Sequence, residues 1–267
     1  DDEIIKAIRS KKNSSMRLGI NAVKNKDAGA CVSAGNTGAL MALSKIILKM
    51  IPGIDRPAIC GSLPTKIGQC HILDLGANVE CDANHLYQFS ILGSALVQSL
   101  EINTRPVIGL LNVGSEEFKG NDTIKNAGQL MQGSKLNYAG FVEGDEIFNG
   151  NFDVIVSDGF AGNIALKSIE GVAKLISHFI KTEFNKSIFT KLAALISYPV
   201  MGAVKNKVDP RKYNGASLLG LQGVVVKSHG GADSYAFSQA INTAYYEVKN
   251  DILDKIESLV RSGGSHD

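Results

Sequence analysis

A short apolar run that ends in glycine and small polar residues, then gives way to a helical pattern, occurs five times in this chain. The runs at 31–33, 72–74, 107–111, 152–157 and 224–226 lead into SAGNTGAL (33–40), LGAN (75–78), NVGSEEFKGN (112–121), DGFAGNIALK (158–167) and KSHGGAD (227–233). Strand, tight turn and helix in that order build βαβ units, and five of them point to an open, doubly wound, mostly parallel α/β sheet. Turns of this kind lie at the carboxyl edge of the strands, where ligands bind. The pattern therefore predicts that Ser33, Asn36, Asn78, Ser115, Lys119, Asn163 and His229 converge on one crevice. Gly159 and Gly162 admit a backbone path that a Cβ would obstruct, and a new helix offers unpaired N–H groups and the positive end of its dipole to an anion. The turn at 158–167 is thus sized for phosphate; for any one such turn, the alternative is an ordinary βα connection with glycine chosen for geometry alone.

The intervening segments fit this class. Residues 1–9 read as a helix, and Ser14 or Ser15 caps a second one at 16–25. Leu40, Leu43, Ile47 and Met50 line one face of a third. A strand starts at Pro57 and is expected to stop before Pro64. The helix at 84–100, set between the apolar strands near 72 and 107, completes a βαβ unit. Helix is expected at 121–131, strand at 138–142, and one long helix from Asp233 or Ser234 through Phe237, Ile241, Tyr245, Val248, Ile252, Ile256 and Val260. The result is a single α/β domain over 1–260, with a flexible tail at 261–267. The chain opens without Met and already in a helical pattern, so a preceding strand is expected outside this sequence.

One stretch breaks the alternation. Residues 171–212 contain no strand; they read as a protruding helical arm, rich in large apolar side chains and flanked by Lys186, Lys191, Lys205 and Lys207. The apolar face, which includes Leu192, Leu195, Ile196, Val200 and Met201, meets either a second subunit or the core, or it rests on a membrane or receives an acyl chain.

Composition excludes several classes. With 267 residues, 44% hydrophobic and 20% charged, the chain can bury a full core. A net charge of +2 without a long basic run gives no nucleic-acid surface. Cys31, Cys60, Cys70 and Cys81 lack the paired spacing of a zinc site, and Cys81 with His85 makes only two ligands, so no metal is expected and the thiols read as free in a reducing compartment. No uninterrupted apolar span of about 18 residues is present, which favours a cytoplasmic protein.

Five ordered segments, SAGNTGALMA (33–42), LDLGANVEC (73–81), LLNVGSEEFKGN (110–121), FVEGDEIFNGNFDVIVSDGFAGNIALK (141–167) and YNGASLLGLQGVVVKSHG (213–230), resemble the phosphate acyltransferases of bacterial phospholipid synthesis, the PlsX family. The family's amino-terminal strand and its glycine-rich motif have no counterpart in this sequence. The resemblance implies a fold similar to phosphotransacetylases and isopropylmalate-type dehydrogenases. It implies transfer of a long-chain acyl group from acyl carrier protein to inorganic phosphate, with no cofactor. The acyl phosphate would pass to a downstream glycerol-3-phosphate acyltransferase. It further implies a homodimer associated peripherally with the inner face of the cell membrane.

Such chemistry needs a bound dianion, a stabilised oxyanion and a departing thiolate. Lys119 in its glycine-flanked loop is the candidate for phosphate or oxyanion contact, against a solvated loop lysine. Asn163 either donates its amide to the same charge or caps a helix. His229 either protonates the thiolate or binds phosphate, against a structural histidine; His71, His85 and His178 are placed outside catalysis. Ser33, Gly35, Asn36, Thr37, Asn78, Ser115 and Gly162 form the candidate phosphate cradle. A short-chain phosphotransacetylase acting on acyl-CoA, a metal-dependent hydroxyacid dehydrogenase and a membrane-bound scaffold are the competing functions. The apolar arm argues against the first, and the scatter of Asp74, Asp153 and Asp158 against the second.

Overall fold

Side-chain caps set where the helices begin. In the computed structural model, which describes residues 13–263, Ser14 accepts a hydrogen bond from Arg17 N and starts α1 (Ser15–Lys24). Asn36 starts α2 (Thr37–Leu48) and Asn121 starts α4 (Asp122–Gln132) in the same way. Asp82 and His85 form a reciprocal capping box at α3 (Ala83–Ser99), which gives His85 a structural role. Asp158 caps α5 (Gly159–Phe184), Ser187 caps α6 (Ile188–Lys207) and Asp233 caps α7 (Ser234–Lys249). The last helix is α8 (Ile252–Gly263). The helix expected at 1–9 and the tail at 264–267 lie outside the described residues, and 261–263 belong to α8.

The strands are β1 (Ala30–Ser33), β2 (Ala58–Thr65), β3 (Gly68–Leu73), β4 (Ile108–Leu111), β5 (Tyr138–Val142), β6 (Val154–Val156), β7 (Ala216–Leu219) and β8 (Val224–Lys227). They form one sheet in the order β1-β8-β7-β2-β3-β6-β4-β5. Pairing is parallel within β3-β6-β4-β5 and within β1-β8, but antiparallel across β8-β7, β7-β2 and β2-β3. The three antiparallel steps reverse the chain sense, so β1 and β8 run opposite to β3, β4 and β6. The two groups are also offset along β2: Val226 pairs with Ser217, Ser217 with Cys60, and Gly61 with Ile72, so β8 and β3, running in opposite senses, both end at the level of Cys60 and Gly61.

Three further differences have local causes. β2 passes through Pro64, because beyond Cys60 this strand has β3 as its one partner and the missing N–H lies at an edge. β7, four residues between Gly215 and Gly220, is too short to declare itself. The long carboxyl-terminal helix is two, broken at Asp251, whose φ of 49° turns the chain.

α3 lies at the centre of one face: Leu86, Phe89, Leu92 and Leu96 are fully buried against Leu73, Ile108, Val154 and Val156. On another flank, Ile20 of α1 and Leu40, Leu43 and Ile47 of α2 pack on Ile59, Leu218 and Val225. Cys31, Cys60 and Cys70 are buried free thiols, each raised by desolvation above its ordinary pKa.

The core also takes in a carboxyl group. Glu247 of α7 is 2% exposed, hydrogen-bonded to the hydroxyl of Ser217 on β7, and burial pushes its pKa up to about 8 from 4.5. The folded state therefore holds a proton that the unfolded chain releases. The stability contributed is complete below about 4.5 and is lost as pH rises to about 8. Glu247→Gln keeps a hydrogen-bonding group and removes the charge. The variant should match the parent at pH 4 and exceed it by on the order of 3 kcal/mol at pH 7, as read by urea unfolding across that range.

Candidate active site

The carboxyl ends of β3, β6 and β4 share one edge, and a buried carboxylate organises it. Asp74, fully buried after a cis peptide at Leu73–Asp74, accepts hydrogen bonds from Ile59 N (3.0 Å), Ala77 N (3.1 Å), Asn78 N (2.6 Å) and Asn78 Nδ2 (2.9 Å). Desolvation raises its pKa, and these four bonds work in the other direction. Asn78 also donates to Pro57 O at 2.7 Å, so both of its amide hydrogens are held inside the protein and it shapes the turn rather than meeting phosphate.

The first turn of α5 rests directly on this loop. A Cβ on Gly162 would stand 2.0 Å from Asp74 O, and one on Gly159 would stand 2.6 Å from Asn78 O. These glycines thus permit helix-on-turn contact instead of ligand approach. Gly159 N donates to Asn78 O and Ala161 N to the Asp158 cap, so two donors of that turn are already engaged. With Asp158 as cap, Asn163 is left free of that duty; it is exposed and stands over Gly76, 3.6 Å from where a Cβ would be.

Directly after the adjacent strand β4, Asn112 gathers the loop that follows, donating to Gly114 O (3.1 Å) and Lys119 O (3.2 Å). Lys119 lies across Gly114 and pairs with Glu116 at 2.8 Å, which raises its pKa and keeps it a cation. Any anion drawn to that ammonium has to compete with Glu116. Ser115, in the same loop, is exposed. This edge therefore brings together Asn78, Ser115, Lys119, Gly162 and Asn163 of the expected residues.

Ser33, Gly35, Asn36, Thr37 and His229 gather at the ends of β1 and β8, and Leu75 and Ala77 of the turn after β3 pack on the same apolar cluster as Leu40 and Leu43 of α2. Ser33 Oγ accepts from Gly35 N, Asn36 caps α2, and Gly35 to Thr37 are exposed. His229 is exposed; its N–H reaches Asn214 Oδ1 and its Nδ1 accepts from Gly231 N. Sequence reasoning passed over Lys227, the strand partner of Ser33. It is half-buried with its pKa lowered by desolvation, and its ammonium donates to Ser228 O. A lysine closing an apolar strand was the available signal. His71 sits inside β3 against Ser62, held neutral with a pKa of about 4 by burial, and His178 lies on the exposed part of α5, so neither reaches these turns. Among the described residues no cluster of three or more potential metal ligands occurs.

A mixed sheet with helix-flanked glycine turns of this kind defines an α/β phosphotransacetylase-like fold. The structure superposes on a phosphotransacetylase from Streptococcus pyogenes with a TM-score of 0.62 and 16% identity, covering 87% of this chain and 67% of that one. A 4-hydroxythreonine-4-phosphate dehydrogenase from Klebsiella pneumoniae gives 0.51 and 13%, covering 87% and 68%. Residues 1–255 match the model of the fatty acid synthesis protein family. A phosphate acyltransferase of Methylococcus capsulatus is 56% identical over 255 residues, 96% of this chain and 75% of that protein. The chain belongs to the phosphate acyltransferase family.

The contact of Gly162 with Asp74 yields a direct test. Gly162→Ala forces α5 off the turn and should destabilise the fold by about 2–3 kcal/mol while lowering turnover, measured by thermal unfolding and acyl transfer on the same preparation.

Proposed function

We propose that the enzyme moves a long-chain fatty acyl group from acyl carrier protein to inorganic phosphate, and that the Lys119–Asn163 edge performs the transfer. The observation that carries this reading is α5 itself. Its first turn forms part of that edge, and the same helix continues as an apolar track in which Phe160, Ile164, Val172, Leu175, Ile176 and Phe179 are all exposed. A two-carbon acyl group needs no such track; a fatty chain does.

In the transfer, a phosphate oxygen attacks the thioester carbonyl, the tetrahedral oxyanion collapses, the C–S bond breaks, and the carrier thiolate takes a proton. Phosphate is the nucleophile, so no acyl-enzyme is required. Lys119 supplies positive charge to phosphate and oxyanion, and the Asn163 amide donates to the same developing charge. The 33–37 turn, at the end of β1, is offered to the phosphate, and His229, at the end of β8, to the phosphate or the departing thiolate.

The arm supports the remaining elements of the proposal. α6 returns beside α5 with no buried residue, and Leu192, Leu195, Ile196 and Val200 are all more than half exposed. The stretch 188–213 is long and apolar enough to cross a bilayer by length and composition alone. Lys191, Lys205 and Lys207 along it favour lying on an anionic leaflet over crossing it. A peripheral position at the inner face of the membrane places the acyl phosphate where a glycerol-3-phosphate acyltransferase can take it, and a homodimer would cover part of the arm. Met201, partly buried, belongs to the same apolar set.

Acyl phosphate formation should occur with a long-chain acyl carrier protein and not with acetyl-CoA; the reverse identifies a short-chain phosphotransacetylase, and turnover with neither favours a scaffold. Lys119→Ala should lower kcat/KM about 10²- to 10³-fold, and Asn163→Ala by a smaller factor. If His229→Ala abolishes turnover while Lys119→Ala does not, the assigned edge is wrong. Leu195→Glu with Val200→Glu should release the protein from anionic vesicles and leave turnover on soluble substrate intact.

A further inference from the structure

A cavity lies at the opposite end of β4 and β5 from the Lys119 loop. Its volume is about 320 Å³, and it opens to the surface between α3, the loop before β4, the loop before β5 and the last turns of α8. Tyr87, Ile91, Ser94 and Gln98 present one face of α3 to it, at the spacing of successive helical turns. Ile91, Leu136 and Leu259 supply the apolar part, and Ser94, a hydroxyl residue only 3% exposed, lies among them.

The charge in this cavity has one sign. Arg105 and Lys135 line it and no carboxylate does. Neither cation forms an ion pair among the described residues. Their loops are tied together where Asn137 Nδ2 donates to Arg105 O at 3.2 Å, so the two side chains belong to one mouth. Ser134 Oγ, in the same lining, donates to Met131 O and accepts from Leu136 N. Two unpaired cations beside hydroxyl and amide groups suit the several oxygens of one dianion. The volume stands at the low end of ligand pockets, near 300 Å³, which limits the organic part to a few carbons.

We propose that this cavity binds a small phosphomonoester, with Arg105 and Lys135 on the phosphate and the carbon body against Ile91 and Leu136. The site lies on the other side of the sheet's strand ends from Lys119 and Asn163, so it is separate from acyl transfer.

Glycerol 3-phosphate is the probe, titrated calorimetrically into the full chain, with glycerol as the uncharged comparison. Binding at millimolar concentration or tighter is expected, equal in the parent and in Lys119→Ala, and absent for glycerol. Arg105→Ala combined with Lys135→Ala, both exposed loop positions, should weaken it about a hundredfold, as the loss of two charge-assisted contacts requires. The proposal fails if the parent does not bind the probe, if the double variant binds as tightly as the parent, or if Lys119→Ala alone removes binding.

Discussion

One buried carboxylate, that of Asp74, holds the β3–β6–β4 edge in place. Removing such a group from water is tolerated only where hydrogen bonds replace hydration, and Asp74 has four, drawn from the start of β2 and from the turn after its own strand. Its main chain serves as well: Asp74 N donates to Ser157 O, and Asp74 O is the surface on which Gly162 lands. β2, β3, β6 and α5 therefore meet at a single residue. Where α5 starts decides where Asn163 stands and where the exposed arm takes root, so a core interaction governs the geometry of the surface.

The antiparallel centre of the sheet has an equally wide reach. β2 and β7 join two parallel groups of opposite sense, and with them two families of turns. One family holds Lys119 and Asn163 above the Asp74 hub. The other holds Ser33, Asn36, Lys227 and His229, linked by strand pairing and by Ser228 N donating to Ser33 O. Each is a coherent set of contacts, and membership follows from strand direction, not from likeness of motif.

Most of the local structure was legible because it is encoded locally. The limits of β1 and β5 and the caps at Ser14, Asn121 and Asp233 are carried by neighbouring residues within a turn or two. Strand direction is not encoded that way. Placing the two families of turns relative to each other requires knowing that β7 exists and that β2 and β3 form a hairpin, and both depend on pairing between distant segments. The same limit applies to individual residues. Asn78 has the look of a phosphate donor until Pro57 and Asp74 claim its hydrogens, and Asn163 has the look of a cap until Asp158 takes that place. Lys227 gained interest only through the strand beside it.

The reversal within the sheet also decides the electrical shape of the domain. Helices that follow β3 and β4 return along the sheet in one sense, and those that follow β1 and β8 return in the other, so their dipoles oppose along the strand axis. An all-parallel sheet would stack the positive helix ends on one side and give the molecule a directed moment. Here the two sets oppose, and their positive ends face the level at which the strands of both groups end. An anionic surface or an acidic protein at a distance therefore meets opposed helix dipoles, and orientation falls to the placement of charged side chains, among them the lysines of α5 and α6.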